Sequence, residues 1–187
     1  MNKRNQTLFI TMGALFTALL AVCSQIQIPL PQIPINLALF SVYLAGIILG
    51  PAAGSVSVIV YVLLGMAGIP VFAGFKSGIA AITGPTGGYI VGYIFAAFVT
   101  GMIVKLAGDK IYLLVIASLA GMIVCYALGT AWFMYSMKVN FISAFTVCIL
   151  PFLPGDAVKI VFAAVIGNRL RRLIPEVKEL NPSAISR

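Results

Sequence analysis

The sequence predicts an all-α integral membrane protein, a single transmembrane domain (residues 1–187) of six transmembrane helices with both termini in the cytoplasm. Composition, charge spacing and charge sidedness each point that way. Of the 187 residues, 61% are hydrophobic and only 9% are charged, and the mean hydropathy is +1.12. A soluble domain carries about 25% charged residues, so this chain could not cover itself in water, whereas a bilayer removes that requirement. No charge occurs between Arg4 and Lys76, between Lys76 and Lys105, or between Lys110 and Lys138. A spanning helix needs about 20 mostly apolar residues. The first gap therefore has room for up to three helices, and each of the others for one.

Helix 1 is expected over about Thr7 to Gln25. Its basic start, Lys3-Arg4, and the small residues near Ala21 to Ser24 resemble a signal peptide, but further apolar spans follow, so it reads as a retained helix. Three prolines between Gln27 and Pro34 cannot propagate a helix and predict an extended loop. Helices 2 and 3, about Asn36 to Leu49 and Ala53 to Ala67, are separated by Gly50-Pro51, and both are short enough to require tilt or local thinning. The glycine-rich stretch Gly68 to Gly84 reads as a second long loop. Helix 4 opens near Pro85, a residue suited to a first turn, and ends near Leu106. After the Gly108-Asp109-Lys110 turn, helix 5 covers about Ile111 to Met134, and helix 6 about Phe141 to Leu170 with an interruption near Pro151 to Gly155. Residues 171–187 form a polar cytoplasmic tail.

Six spans place both termini on one side of the membrane. With them go Lys3, Arg4, Lys105, Lys110, Arg169, Arg171, Arg172, Lys178 and Arg187, nine basic residues against Lys76 and Lys138 opposite. Basic residues favour the cytoplasmic side, so the two long loops face outward, where they suit capture of something from outside. The net charge of +8 is thus explained by topology and does not point to nucleic acid. Cys23, Cys125 and Cys148 lie in apolar segments without metal-ligand spacing, and there is no histidine. No nucleophile–base set or pair of carboxylates emerges, so no enzymatic chemistry is expected.

The polar residues that remain inside apolar segments are the candidates for function. Asp156 is the only acid between Asp109 and Glu176, and Lys159 follows three residues on, which puts both on one helix face. An ionisable group in a membrane costs about 2.5–3.5 kcal/mol on insertion scales, so it usually faces a protein interior or a ligand path. The alternative is an ion pair that merely tolerates burial. Pro151 to Gly155 opens the helix just before the pair, and backbone freed at membrane depth persists only where protein or a cavity satisfies it. In Gly84-Pro-Thr-Gly-Gly-Tyr89, Thr86 and Tyr89 offer hydroxyls and Gly87 allows close backbone approach to a ligand. Gly84, Gly88 and Gly92 equally form a small-residue stripe for helix packing. No Gly-Lys-Ser/Thr follows, so there is no phosphate-cradling loop. Asn36 is either a helix cap or a polar ligand contact, and Phe72 and Phe75 either a hydrophobic lid or interfacial anchors. Trp132 and Tyr135 fit an aromatic belt. Ala14 and Ala18, one turn apart on helix 1, make a flat patch for another helix, from this chain or from a partner.

Gly68-Ile-Pro-Val-Phe-Ala-Gly74, Gly84-Pro-Thr-Gly-Gly-Tyr89 and Pro151-Phe-Leu-Pro-Gly-Asp-Ala-Val-Lys159, in this order, resemble the BioY family, from about Thr11 to Arg172. These are the biotin-specific substrate-binding subunits, or S components, of energy-coupling factor (ECF) transporters of the cell membrane. The resemblance implies the S-component fold and biotin as the transported ligand, with no cofactor. It implies as partners a coupling transmembrane protein, met by Ala14 and Ala18, and two ATPases, which fits the missing phosphate loop. Asp156 and Lys159 would then read the ureido ring, with Asn36, Phe72, Thr86, Gly87 and Tyr89 around the ligand and Lys76 within reach of its carboxylate. An S component for another vitamin, a membrane enzyme acting on lipid and a passive channel are the competing readings.

Overall fold

The structure, a computed structural model, describes residues 3–28, 33–108 and 110–173, with side chains from residue 6 onward. Asp109 and the tail from residue 174 lie outside the described residues, as do the side chains of Lys3 and Arg4. The described residues are mostly helical: α1 (Lys3–Gln25), α2 (Ala38–Met66), α3 (Ile79–Thr83), α4 (Gly87–Ala107), α5 (Ile111–Met137), α6 (Phe141–Cys148) and α7 (Leu153–Leu173). Two short strands, β1 (Gln27–Ile28) and β2 (Ile35–Asn36), pair antiparallel where the proline-rich stretch predicts an extended loop. Helices α1, α2, α4 and α5 are each long and apolar enough to cross a membrane, and α6 with α7 makes a fifth if that pair, bent by 53°, is one span. The chain is a multi-pass membrane protein.

The two short helices expected around Gly50-Pro51 are both present as the two arms of α2, separated by a non-helical residue: Gly50 has φ 78 and ψ −176. Helix begins at Ala38 rather than Asn36, and resumes at Pro51 rather than Ala53. The break is a reversal of the chain. A Cβ built on Gly54 would lie 2.9 Å from the carbonyl oxygen of Ala45, whereas nine residues of straight helix span about 13 Å. Arms 38–49 and 51–66 therefore fold back on one another. Glycine is needed at both places, at Gly50 for its positive φ and at Gly54 because any side chain would strike the other arm.

That reversal leaves helix carbonyls without partners. In an unbroken helix Ile47 would receive the N–H of residue 51, but Pro51 has none. Arg171, in the last turn of α7, fills the gap by donating from a guanidinium nitrogen to the Ile47 oxygen at 2.8 Å. By sequence Arg171 belongs with the charges flanking the membrane. The structure gives it a partner inside the protein as well: it is 2% exposed, while Arg169 and Arg172 beside it are exposed. Replacing Arg171 with leucine is expected to destabilise the fold by about 1.5–3 kcal/mol, the range for a hydrogen bond to a charged group. A lowered thermal midpoint of the purified variant, with Arg169→Leu unchanged, checks this.

The long glycine-rich loop is more ordered than its composition suggests. It contains α3 and an antiparallel bridge between Phe72 and Lys76. Helix α4 begins at Gly87, two residues beyond Pro85. The interruption before Asp156 falls at 149–152, earlier than its proline and glycine content predicts, and helix resumes at Leu153. Asn140 caps α6, its side-chain oxygen accepting from Ser143 N at 2.9 Å.

Candidate functional site

Asp156 lies in the first turn of α7, directly after the break, and is fully buried. Its position three residues before Lys159 aligns the two side chains, and Lys159 Nζ donates to Asp156 Oδ1 at 2.6 Å. The second carboxylate oxygen accepts a hydrogen bond from the hydroxyl of Tyr126 on α5. The carboxylate is thus fixed by a cation on one oxygen and a hydroxyl on the other. Each oxygen keeps a further lone pair, and Lys159 keeps two of its three N–H groups. The arrangement can accept from one ligand group and donate to an adjacent one.

These residues face a cavity walled by several parts of the chain. Phe152, Asp156 and Lys159 come from the broken helix, Tyr126 from α5, Tyr89, Ile90 and Tyr93 from α4, and Asn36, Leu39 and Tyr61 from β2 and α2. Phe72, Ala73 and Lys76 close one side from the long loop, and Ile33 and Pro34 another from the turn before β2. Thr86, at the start of α4, also lines it. A mostly apolar and aromatic wall with a few convergent polar groups is the usual form of a small-molecule site.

Seven of the eight residues that the sequence places at the ligand line this one cavity: Asp156, Lys159, Asn36, Phe72, Thr86, Tyr89 and Lys76. Their individual roles differ from a simple list of polar contacts. Asn36 lines the cavity while its Oδ1 accepts from Ala38 N at 3.1 Å; it stands one residue before the helix N-cap, which is Leu37, so it is not the cap that the sequence offered as one of two readings. Tyr89 shows the cavity its ring, because its hydroxyl is taken by Thr130 Oγ1 at 3.1 Å and by the carbonyl of Cys148, freed at the end of α6. Phe72 is only 2% exposed and packs edge-on against Tyr61, which makes it a wall, and Phe75 is the exposed partner at 71%. Gly87 stands outside the cavity, its backbone pressed so closely against Ile82 that a Cβ would overlap the Ile82 carbonyl. Gly88 and Gly92 pack α4 onto α5, at Trp132 and Cys125. Trp132 also donates its indole N–H to Gly84 O at 3.0 Å.

Tyr126, Tyr93, Tyr61 and Phe152 are cavity residues not singled out from the sequence. Tyr126 carried a usable signal: a hydroxyl in the middle of an apolar helix needs a partner within the protein. On α1, Ala14 and Ala18 are both exposed, and so are Ile10, Leu15 and Val22 near them.

The family model described as the BioY family matches residues 1–176. The chain belongs to the BioY family. A probable biotin transporter BioY of Pyrococcus horikoshii is 43% identical over 162 residues, covering 87% of this chain and 95% of that one. The biotin transporter BioY of Thermotoga maritima is 41% identical over 162 residues, covering 86% and 94%. Among solved structures, the crystal structure of the S component for biotin from an ECF-type ABC transporter superposes with a TM-score of 0.86 at 28% identity, covering 92% of this chain and 95% of that chain. The BioY match spans the whole cavity and both loops that close it.

Proposed function

We propose that this chain is the biotin-binding membrane subunit of an ECF transporter, a single transmembrane unit in the cell membrane that takes up biotin. The observation that carries the reading is the buried Asp156–Lys159–Tyr126 group in the wall of an aromatic cavity, in a chain of the BioY family. The ureido ring of biotin has two N–H donors beside one carbonyl acceptor. Asp156 takes the N–H groups, Lys159 donates to the carbonyl, and both are charged, which makes such bonds roughly twice as strong as neutral ones. The thioether ring and valeryl chain contact Phe72, Tyr89 and Tyr93, and the carboxylate points to the exposed Lys76.

In this reading the chain crosses the membrane six times with both termini in the cytoplasm. The reversal at Gly50, which turns α2 into two antiparallel arms, supports six crossings. The excess of basic residues on one side supports the orientation. The exposed Ala14 and Ala18 face of α1 meets a coupling transmembrane protein, and two ATPase subunits bound to that protein supply the energy. Small residues let helix backbones approach closely, so a bulky side chain there blocks docking without touching the cavity. Ala18→Trp is expected to leave biotin binding by the isolated subunit within about twofold, since sites without shared partners act independently, and to abolish energised uptake by the assembled transporter. Uptake at the unmodified rate would remove this face as the docking surface.

A further inference from the structure

The turn that closes one side of the cavity is held from outside by the end of α1. Its residues 71–76 supply Phe72, Ala73 and Lys76 to the wall. Its backbone is unusual, because Gly74 (φ 73) and Phe75 (φ 57) are consecutive left-handed residues. Positive φ is uncommon outside glycine, and in a bulky residue it persists only where the surroundings impose it. Phe75 is 71% exposed, so packing of its own ring does not impose it.

The turn is closed by the Phe72–Lys76 bridge and gripped by the side chain of Gln25, the last residue of α1. Its Nε2 donates to Val71 O at 2.9 Å and to Phe72 O at 3.1 Å, and its Oε1 accepts from Phe75 N at 3.0 Å. One amide thus satisfies both sides of the turn, with donor toward carbonyls and acceptor toward the N–H. Ser24 Oγ and Tyr61 OH also donate to Val71 O. The opposite attachment of the turn is apolar: the Phe72 ring sits on Gly65 of α2, where a Cβ would come within 2.1 Å of the ring. Below the turn Phe72 is therefore anchored by packing, while the segment 72–75 is anchored through Gln25.

We propose that Gln25 is a positioning residue for the ligand site, a latch that holds the 71–76 turn against the cavity and sets how fast the ligand leaves. It touches no ligand itself and acts through Phe72 and Lys76. The inference rests on the biotin reading of the cavity.

The test is the dissociation rate of radiolabelled biotin from the purified, full-length protein, with the thermal midpoint of the ligand-free protein measured alongside. Gln25→Ala removes the three hydrogen bonds to the turn from a half-buried position and is expected to speed dissociation on the order of tenfold with little change in midpoint. Gln25→Glu has the same shape and keeps the acceptor for Phe75 N, but sets a carboxylate against two carbonyls. It is expected to dissociate at least as fast as the alanine variant, whereas a residue that only filled space would tolerate it. Dissociation at the wild-type rate in both variants would overturn the proposal, and so would acceleration only in step with a fallen midpoint. Absence of biotin binding by the wild type would instead overturn the cavity reading and this inference with it.

Discussion

Asp156→Asn is expected to weaken biotin binding by roughly 100-fold or more. Three contributions add in the same direction. Hydrogen bonds from the ureido N–H groups lose a charged acceptor, and bonds to charged groups contribute about 1.5–3 kcal/mol, with every 1.4 kcal/mol a factor of ten. An amide at this position turns one of its two ends into a donor, which faces a donor on the ligand or on Tyr126. Lys159 also loses the negative charge that holds it at 2.6 Å, so it presents its remaining N–H groups in a less fixed direction. Equilibrium binding by the variant, judged folded by its elution as a single species, gives the number. An affinity within about threefold of wild type, a fraction of the 1.4 kcal/mol decade, would show that the carboxylate does not touch the ligand.

Lys159→Ala is expected to affect the fold as well as the site. Asp156 is fully buried and this lysine is its counter-charge. Removing one member of a buried pair costs about 3–5 kcal/mol, because the other charge is left uncompensated, whereas replacing both by apolar groups is often neutral. The single variant should therefore melt well below wild type. Asp156→Asn combined with Lys159→Met should recover most of the loss while binding no biotin. That pattern separates two uses of the same pair, since an ion pair that merely tolerated burial would leave binding intact in the stable double variant. Thermal unfolding of the two single variants and the double variant, each with and without biotin, closes the cycle.

What the sequence made legible follows from what is rare in a membrane. Asp156 and Lys159 stand out because charge inside apolar segments is costly, and their spacing alone sets them on one face. Gly50-Pro51 is legible as a break because proline removes a donor, and counting the helices on either side of it as separate spans already requires the chain to double back there. Tyr126 and Tyr93 were not legible as cavity residues, since an aromatic residue in an apolar helix has the same local pattern whether it faces lipid, a neighbouring helix or a ligand. Gly87 shows the opposite error of emphasis: a glycine in a motif marks a close approach, but here the approach is to Ile82 and not to the cavity. The contacts of Arg171 and Gln25 were passed over for a common reason. Their partners, Ile47 and the 71–75 turn, are 124 and 46 to 50 residues away in sequence, and no local pattern records a contact of that range.

Equilibrium binding of biotin to the purified wild-type protein, beside Asp156→Asn, tests the central claim most directly. One biotin bound tightly per chain by the wild type, with affinity lost in the variant, is the predicted result. A well-folded wild-type protein that binds no biotin would contradict the assignment of this cavity.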